Sequence, residues 1–242
     1  MHKYSGIVLA GGLGTRLRSA FHSGPKSMAP IAGTPFLEYM LSKMQVSGIT
    51  DVVLCVGYKR SYIQEHFSKG AKWGMQVRYS VEKQLLGTGG AIKKAADMMS
   101  ADNVFVFNGD SFLDLDVQAM WEFHHRHNAI ASVALTEVPD ASRYGSVLVN
   151  ERKEIIAFRE KQENVNACER GIRLVNAGAY LLNRRILDGI CSERAVSIEK
   201  EVFPKLTGAD LYGYLTKGYF IDIGTPEDFA RAQQDLPTRW KV

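Results

Sequence analysis

The sequence predicts an α/β fold: a single Rossmann-like domain with a mixed, mostly parallel central sheet, helices on both of its faces and a small antiparallel extension. In the first half of the chain, short apolar runs alternate with amphipathic segments, which is typical of βαβ units. From about residue 129 onward, apolar segments follow one another with little helix between them, which indicates antiparallel pairing. The 242 residues, 45% of them hydrophobic, are enough to bury one large core. We therefore expect one domain over residues 1–242.

The elements of the first half follow from the spacing of its apolar residues. Between residues 35 and 47, apolar residues recur at the three-to-four spacing of one helix face, with Pro35 in the first turn and Gly48 as the stop. Residues 104–107 are apolar throughout, as in a strand that is buried on both faces. The predicted strands are 6–10, 51–56, 76–81 and 104–107, and the predicted helices are 35–47, 61–67 and 89–99.

The second half reads mainly as strands. Its β-branched and aromatic runs are separated by polar turns, and a last helix is predicted after Pro226. Residues 211–215 and 219–222 are close in sequence, and we expect them to pair with each other. The predicted strands are 130–138, 146–149, 154–159, 174–182, 211–215 and 219–222, and the predicted helical stretches are 184–190 and 198–206.

Composition and charge exclude several classes of function. The formal net charge of +4 is mild, and no basic stripe with interleaved aromatic residues is found, so we expect no nucleic-acid partner. Neither a signal peptide nor an apolar run of membrane-spanning length is found, so we expect no membrane partner. Cys55, Cys168 and Cys191 are widely spaced and lack C-x-x-C pairing, which indicates a reducing cytoplasm and no structural metal. The sequence leaves homo-oligomerisation open.

A glycine-rich run follows the first predicted strand. Gly11, Gly12 and Gly14 allow backbone N–H groups to approach a phosphate closely, and Arg16 offers a planar guanidinium that bridges phosphate oxygens. The run is no P-loop, because no G-K-[ST] follows, and Leu17 replaces the third glycine of the dinucleotide fingerprint. A tight strand-to-helix turn is the alternative for the glycines alone, and Arg16 favours a phosphate site.

Two aspartates each end an apolar strand. Asp110 closes the N-G-D run and Asp222 precedes I-G-T-P. Magnesium is usually held by one or two carboxylates together with substrate phosphates, so these two side chains are candidate Mg²⁺ ligands. Lys26, together with Arg16, would offset the charge of a triphosphate and of a leaving pyrophosphate. The alternatives are turn or capping roles for the aspartates and a solvated surface position for Lys26.

Glu82 is a candidate for reading a nucleotide base. Guanine presents adjacent N1–H and N2–H donors that one carboxylate can accept together, whereas uracil and thymine present a single N–H between carbonyl oxygens. The run from Gly87 to Ala91 would leave room for a base or ribose against the backbone and begins a helix. A surface ion pair of Glu82 with Lys83 or Arg78 is the alternative.

Polar residues in the second half are candidates for a second substrate. Lys161 could bind a phosphate, and Glu160 and Asn176 could accept or donate hydrogen bonds to sugar hydroxyls. The Tyr144–Gly145 pair could bring backbone against a sugar ring. Taken singly, each of these residues also fits a surface or turn position.

Eight motifs in this order give the chain a strong resemblance to the sugar-1-phosphate nucleotidyltransferases over almost its whole length. Within that family it most resembles the guanylyltransferases that act on D-glycero-α-D-manno-heptose 1-phosphate. The motifs are LAGGLGTRL (9–17), PKSMAPIAGTPFLEY (25–39), YSVEKQLLGTGGA (79–91), NGD (108–110), RYGSV (143–147), FREK (158–161), NAGAY (176–180) and IDIGTPEDF (221–229).

The resemblance implies an enzyme that joins GTP and heptose 1-phosphate to give GDP-heptose and pyrophosphate for a bacterial surface glycan, with Mg²⁺ as cofactor. Residues 1–128 would bind the nucleotide, and 129–242 the sugar phosphate. The implied catalytic residues are Arg16, Lys26, Asp110 and Asp222, with Asp110 and Asp222 as the metal ligands. The implied nucleotide-binding residues are Leu9, Ala10, Gly11, Gly12, Gly14, Thr15, Arg16, Lys26, Glu82, Gly87, Thr88, Asn108 and Asp110. The implied sugar-phosphate-binding residues are Gly109, Tyr144, Gly145, Glu160, Lys161, Asn176 and Gly178.

Three alternatives stay open at this point. The same chemistry could use another pair of substrates, mannose 1-phosphate with GTP or N-acetylmuramate 1-phosphate with UTP. The chain could instead be a non-catalytic nucleotide-sugar sensor, although none of the four implied catalytic residues is replaced. An NAD-dependent oxidoreductase is disfavoured by the failed fingerprint.

Overall fold

The structure is a computed structural model that describes residues 4–12, 17, 21, 24–138, 146–159, 173–191 and 194–240. Its strands and helices alternate along the first half, as predicted. The strands are β1 (Tyr4–Leu9), β2 (Pro30–Ile31), β3 (Thr34–Pro35), β4 (Ile49–Val56), β5 (Gln76–Val81), β6 (Asn103–Asn108), β7 (Ser111–Leu113), β8 (Ala131–Val138), β9 (Ser146–Val149), β10 (Ile155–Arg159), β11 (Arg173–Asn183), β12 (Leu211–Leu215) and β13 (Phe220–Asp222). The α-helices are α1 (Phe36–Val46), α2 (Arg60–Phe67), α3 (Gly87–Ala96), α4 (Val117–Arg126) and α5 (Pro226–Arg239).

A seven-stranded sheet in the order β12-β8-β11-β6-β1-β4-β5 forms the centre of the described structure. All neighbouring strands in it are parallel, except that β11 runs antiparallel to both β6 and β8. The mixed, mostly parallel sheet predicted from the sequence is therefore confirmed. Strands from both halves of the chain enter this one sheet: β11, β8 and β12 of the second half continue it beyond β6.

Helices cover both faces of the sheet, also as predicted. Successive side chains of a strand point to opposite faces. In β1, Val8 belongs to the cluster that includes Leu41 of α1, whereas Ile7 belongs to the cluster that includes Ile92 of α3, and all four side chains are fully buried. The apolar spacing that predicted α1 thus reflects the face that it packs on the sheet.

The small antiparallel extension predicted from the sequence is confirmed, although not with all of the predicted strand pairs. Among the described strands of the second half, β8, β11 and β12 belong to the central sheet, where β11 is antiparallel to its neighbours, while β9 pairs antiparallel with β10 and β13 with β7 in two small separate sheets. The predicted pairing of 211–215 with 219–222 is wrong: β12 pairs with β8, and β13 pairs with β7, a strand that the sequence did not predict. Strand propensity is local, but the choice of partner depends on burial of the whole sheet.

The predicted helix over 198–206 is also different in the structure. A short π-helix (Ile198–Val202) leads into a 3₁₀ turn (Phe203–Leu206), because Pro204 lies at the start of the second turn and has no N–H to continue an α-helix. Among the described residues, no helix is long and apolar enough to cross a membrane. The single-domain organisation and the cytoplasmic location stay predictions.

Candidate active site

A cavity of about 390 Å³ opens at the carboxyl ends of β1, β5 and β6. This is the edge of an α/β sheet where ligands bind, as the sequence predicted. Ten of the predicted nucleotide-binding residues line it, and so does Gly109, which was assigned to the sugar phosphate. The lining residues are Leu9, Ala10, Gly11, Gly12, Leu17, Lys26, Ser27, Glu82, Leu85, Gly87, Thr88, Ala91, Asn108, Gly109 and Asp110.

The ends of β1 and β6 are held together at Gly109. Its N–H donates to the carbonyl oxygen of Leu9 at 3.0 Å, and a Cβ at this position would lie only 2.7 Å from the same oxygen. A side chain at position 109 would therefore push the two strand ends apart. The close approach fixes where Asp110, the next residue, enters the site.

Lys26 lies between the two predicted metal ligands. Its Nζ is 2.8 Å from Oδ2 of Asp110 and 3.4 Å from Oδ1 of Asp222, and the Lys26 side chain is only 12% exposed. The antiparallel pairing of β7 with β13 places Ser111 opposite Asp222, and the Ile223 N–H donates to the Asp110 carbonyl at 3.0 Å. The carboxylates of Asp110 and Asp222, which are more than a hundred residues apart in the sequence, thus both contact Lys26.

The electrostatics of this cluster fit a divalent cation. Burial raises the pKa of Asp222, the negative charge of Asp110 raises it further, and Lys26 opposes both effects. A cation between the two carboxylates relieves their repulsion. No group of three or more potential ligands (His, Cys, Asp or Glu) is found within the described part of the chain. A magnesium ion here would take two protein carboxylates and complete its coordination with phosphate oxygens and water.

Glu82 faces the cavity from the end of β5. One carboxylate oxygen, Oε2, accepts from the N–H of Leu86 at 3.3 Å, and the other, Oε1, lies beside Gly11. Partial burial raises the pKa of Glu82, and the Leu86 N–H counters part of that increase. Arg78, one alternative partner, is instead paired with Asp51 at 2.6 Å.

The start of α3 packs against a segment from the second half of the chain. Gly87 has a φ of +68°, and a Cβ on it would lie 2.5 Å from the carbonyl oxygen of Val196. The Val196 N–H donates to Leu86, and the Gly89 N–H donates back to Val196. On their Cβ side, Gly87 and Gly89 therefore face Val196. Gly87, Thr88 and Ala91 also line the cavity, and the expectation that this run leaves room for a base or ribose stays a prediction.

Asn176 and Gly178 lie at an irregularity in β11, where its pairing with β8 shifts register between Asn176 and Tyr180. The Gly178 N–H donates to Oδ1 of Asn176 at 2.9 Å, and Nδ2 of Asn176 donates to the Tyr180 hydroxyl at 3.0 Å. A Cβ on Gly178 would lie 2.9 Å from Nδ2 of Asn108, which itself lines the cavity. Both residues thus lie next to the cavity wall without lining it, and their contact with a sugar phosphate stays a prediction.

Comparison with known proteins gives the family. A model described as Nucleotidyl transferase matches residues 5–239. The chain belongs to the nucleotidyl transferase family. It is 39% identical to a mannose-1-phosphate guanylyltransferase of Mycobacterium tuberculosis over 97% of this chain and 65% of that protein. It is 37% identical to a D-glycero-alpha-D-manno-heptose 1-phosphate guanylyltransferase of Aneurinibacillus thermoaerophilus over 95% of this chain and 97% of that protein.

Among solved structures, this chain resembles HddC from Yersinia pseudotuberculosis, which was solved as a complex with GMP-PN. The two chains are 34% identical and superpose with a TM-score of 0.83, over 96% of this chain and 98% of HddC. The chain spans just under two thirds of the mycobacterial relative and almost all of the other two proteins. The predicted fold and the predicted class of enzyme are confirmed.

Several predicted site residues lie outside the described residues of this nucleotidyl transferase, and their roles stay predictions. They are Gly14, Thr15, Arg16, Tyr144, Gly145, Glu160 and Lys161.

Sequence reasoning missed residues that the structure brings to the site. Leu17, Ser27, Leu85 and Ala91 line the cavity, and all four belong to motifs that carried the resemblance, so the motif boundaries were the available signal. Glu199 lies behind the cavity wall, bonded to Thr88 at 2.6 Å. No local pattern identified Glu199, because Thr88 and Tyr180, which it joins, are distant from it in sequence.

Proposed function

We propose that the protein is a sugar-1-phosphate guanylyltransferase, which joins GTP and D-glycero-α-D-manno-heptose 1-phosphate to give GDP-heptose and pyrophosphate for bacterial surface glycan synthesis. The observation that carries the proposal is one cavity lined by Lys26, Asp110 and the candidate base reader Glu82, with Asp222 bonded to the same lysine. The similarity to a heptose 1-phosphate guanylyltransferase along nearly the full length of both chains supports this choice of substrates.

The charges of the site suit a direct displacement. A phosphate monoester is largely dianionic at neutral pH, so its oxygen attacks the α-phosphorus of GTP without a protein base. The new oxygen–phosphorus bond forms as the bond to the bridging oxygen of pyrophosphate breaks, and pyrophosphate carries away the electron pair. The positive charge of Lys26 stabilises the phosphates as charge develops on the leaving group. A magnesium ion held by Asp110 and Asp222 supplies further charge neutralisation when bound.

Glu82 accounts for a preference for guanine. A carboxylate has about four acceptor positions on its two oxygens, so the bond from Leu86 leaves acceptors for both N1–H and N2–H of guanine. We expect Glu82→Gln to narrow the preference for GTP over UTP by roughly tenfold, since an amide offers one acceptor and one donor group. The exposed neighbour Lys83, changed to Gln, is the matched control. An unchanged preference in Glu82→Gln would show that the base is read elsewhere.

The decisive experiment measures pyrophosphate release with Mg²⁺ over a grid of substrates. It crosses GTP, UTP, ATP, CTP and dTTP with the 1-phosphates of heptose, mannose, glucose and N-acetylmuramate. Release with GTP and heptose 1-phosphate, and with no other pair, supports the proposal in full. If folded protein releases no pyrophosphate with any of these pairs, the result contradicts the proposal and favours a nucleotide-sugar sensor.

Mannose 1-phosphate with GTP is the second candidate, because the mycobacterial relative with 39% identity is a mannose-1-phosphate guanylyltransferase. The two sugars share their ring and differ beyond C6. Faster release with mannose 1-phosphate than with heptose 1-phosphate in the same grid would replace the proposed acceptor and leave the mechanism in place.

A further inference from the structure

The carboxylate of Glu199 connects the start of α3, which lines the candidate active site, to β11. Oε2 accepts from the hydroxyl of Thr88 at 2.6 Å and from that of Ser197 at 2.9 Å. Oε1 accepts from the hydroxyl of Tyr180 at 3.3 Å. Three O–H donors from three separate segments thus meet at one side chain that can only accept.

On the nucleotide side, the bond to Glu199 fixes the first turn of α3. The hydroxyl of Thr88 has one proton, which it gives to Glu199, and its oxygen accepts from the N–H of Ile198 at 2.9 Å. Thr88 itself lines the cavity. Together with the backbone bonds of Val196 to Leu86 and Gly89, this contact ties the cavity wall to the segment that carries Glu199.

At β11, the bond to Glu199 holds Tyr180 at the end of the irregularity in that strand. Tyr180 is fully buried, and because its proton is given to Glu199, its oxygen is the acceptor for Nδ2 of Asn176 at 3.0 Å. The orientation of the Asn176 amide follows, with Oδ1 toward the Gly178 N–H. The chain of donors runs from Asn176 through Tyr180 to Glu199, and a charged acceptor at its end strengthens it.

We propose that Glu199 is a positioning residue for nucleotidyl transfer, which acts through Thr88 on the nucleotide and through Tyr180 and Asn176 on the sugar phosphate. The π-helix that begins at Ile198 places Glu199 between these partners, and π-turns are frequent at functional sites. The inference rests on the proposed function, because it assigns Thr88 to the nucleotide side of the site and Asn176 to the sugar-phosphate side.

Glu199→Gln tests the inference because it keeps the shape of the side chain but replaces one of its two acceptor oxygens by an NH₂ donor. Whichever way the amide is turned, its NH₂ group meets a hydroxyl whose proton already points at residue 199. We expect kcat/KM to fall by roughly ten- to a hundredfold for both substrates, as a small misplacement of bound groups would produce. The matched control is Glu151→Gln, the same change at an exposed turn outside the described site, which should retain the wild-type constants.

Tyr180→Phe separates the two arms. It keeps the bond between Thr88 and Glu199 and removes the link to Asn176, so the KM for the sugar 1-phosphate should rise while the KM for the nucleotide stays at the wild-type value. A residue that only stabilises the fold would not produce this split. If Glu199→Gln does not fold, Tyr180→Phe decides alone, and an unchanged KM for the sugar phosphate then overturns the inference.

Two other results would overturn the inference. One is Glu199→Gln within twofold of the wild type in every kinetic constant. The other is a variant whose lower activity is explained wholly by a smaller folded fraction in urea titration. Failure of the proposed function can be told apart from failure of this inference, because the wild type would then release no pyrophosphate. In that case the inference fails as well, before any variant is compared.

Discussion

Replacing Gly109 by alanine tests whether the contact between the ends of β1 and β6 sets the catalytic geometry. The added Cβ would lie 2.7 Å from the carbonyl oxygen of Leu9 and 3.1 Å from Cα of Ala10. Ordinary contacts begin near 3.4 Å, so the strand ends must separate by about 0.7 Å. Both contacted atoms belong to the backbone and cannot turn aside. Since Asp110 is the next residue and lies 2.8 Å from Nζ of Lys26, a displacement of that size takes the ion pair out of good hydrogen-bonding distance.

We expect Gly109→Ala to lower kcat for pyrophosphate release by roughly ten- to a hundredfold. Overpacking between the strand ends should also lower the free energy of unfolding by about 1–3 kcal/mol, measured by urea titration. Gly189→Ala is the matched control, because a Cβ at position 189 would meet nothing within 4 Å. A kcat for Gly109→Ala within twofold of the wild type, at equal folded fraction, would refute the geometric argument.

Three further predictions concern charge. Asp110→Asn should lower kcat by about a hundredfold or more without unfolding the protein, and near-normal turnover would remove Asp110 from the mechanism. Lys26→Met should lower kcat by about 10²–10³-fold and raise the pKa of Asp222 further, since the two carboxylates then lose their shared cation; a full-rate variant would contradict the assigned role. Burial lowers the pKa of His124, whose Nδ1 lies 2.9 Å from the Ser132 hydroxyl, to about 4. In the unfolded chain the His124 ring has its ordinary pKa near 6.5, so it takes up a proton more readily there than in the folded chain. As the pH falls from about 6.5 to about 4, the free energy of unfolding should therefore fall by up to about 3 kcal/mol. His124→Gln should flatten this fall in urea titrations at several pH values, and an unchanged slope would assign it to other groups.

The elements that the sequence predicted well are those whose signal is local. The apolar face of α1 and the alternation in β5 were placed to within a residue of the observed bounds, because burial of one face repeats with the period of the element. The glycine loop and Asp110 were predicted to lie at the carboxyl edge of the sheet, because each follows an apolar strand in the sequence. The pairing of β13 with β7 was not predicted, because each strand is only three residues long and the two are more than a hundred residues apart in the sequence.

The candidate site divides in the same way. The residue types and their order determined the family, the phosphate-binding and carboxylate candidates and the choice of Glu82 as base reader. Only the tertiary structure decided that Lys26 lies between Asp110 and Asp222, that Val196 fills the space behind Gly87, and that Glu199 joins Thr88 to Tyr180. The physical reason is that a motif records what one stretch of chain can bind, whereas these contacts join segments that are distant along the chain and become neighbours only when the sheet and its cover are packed.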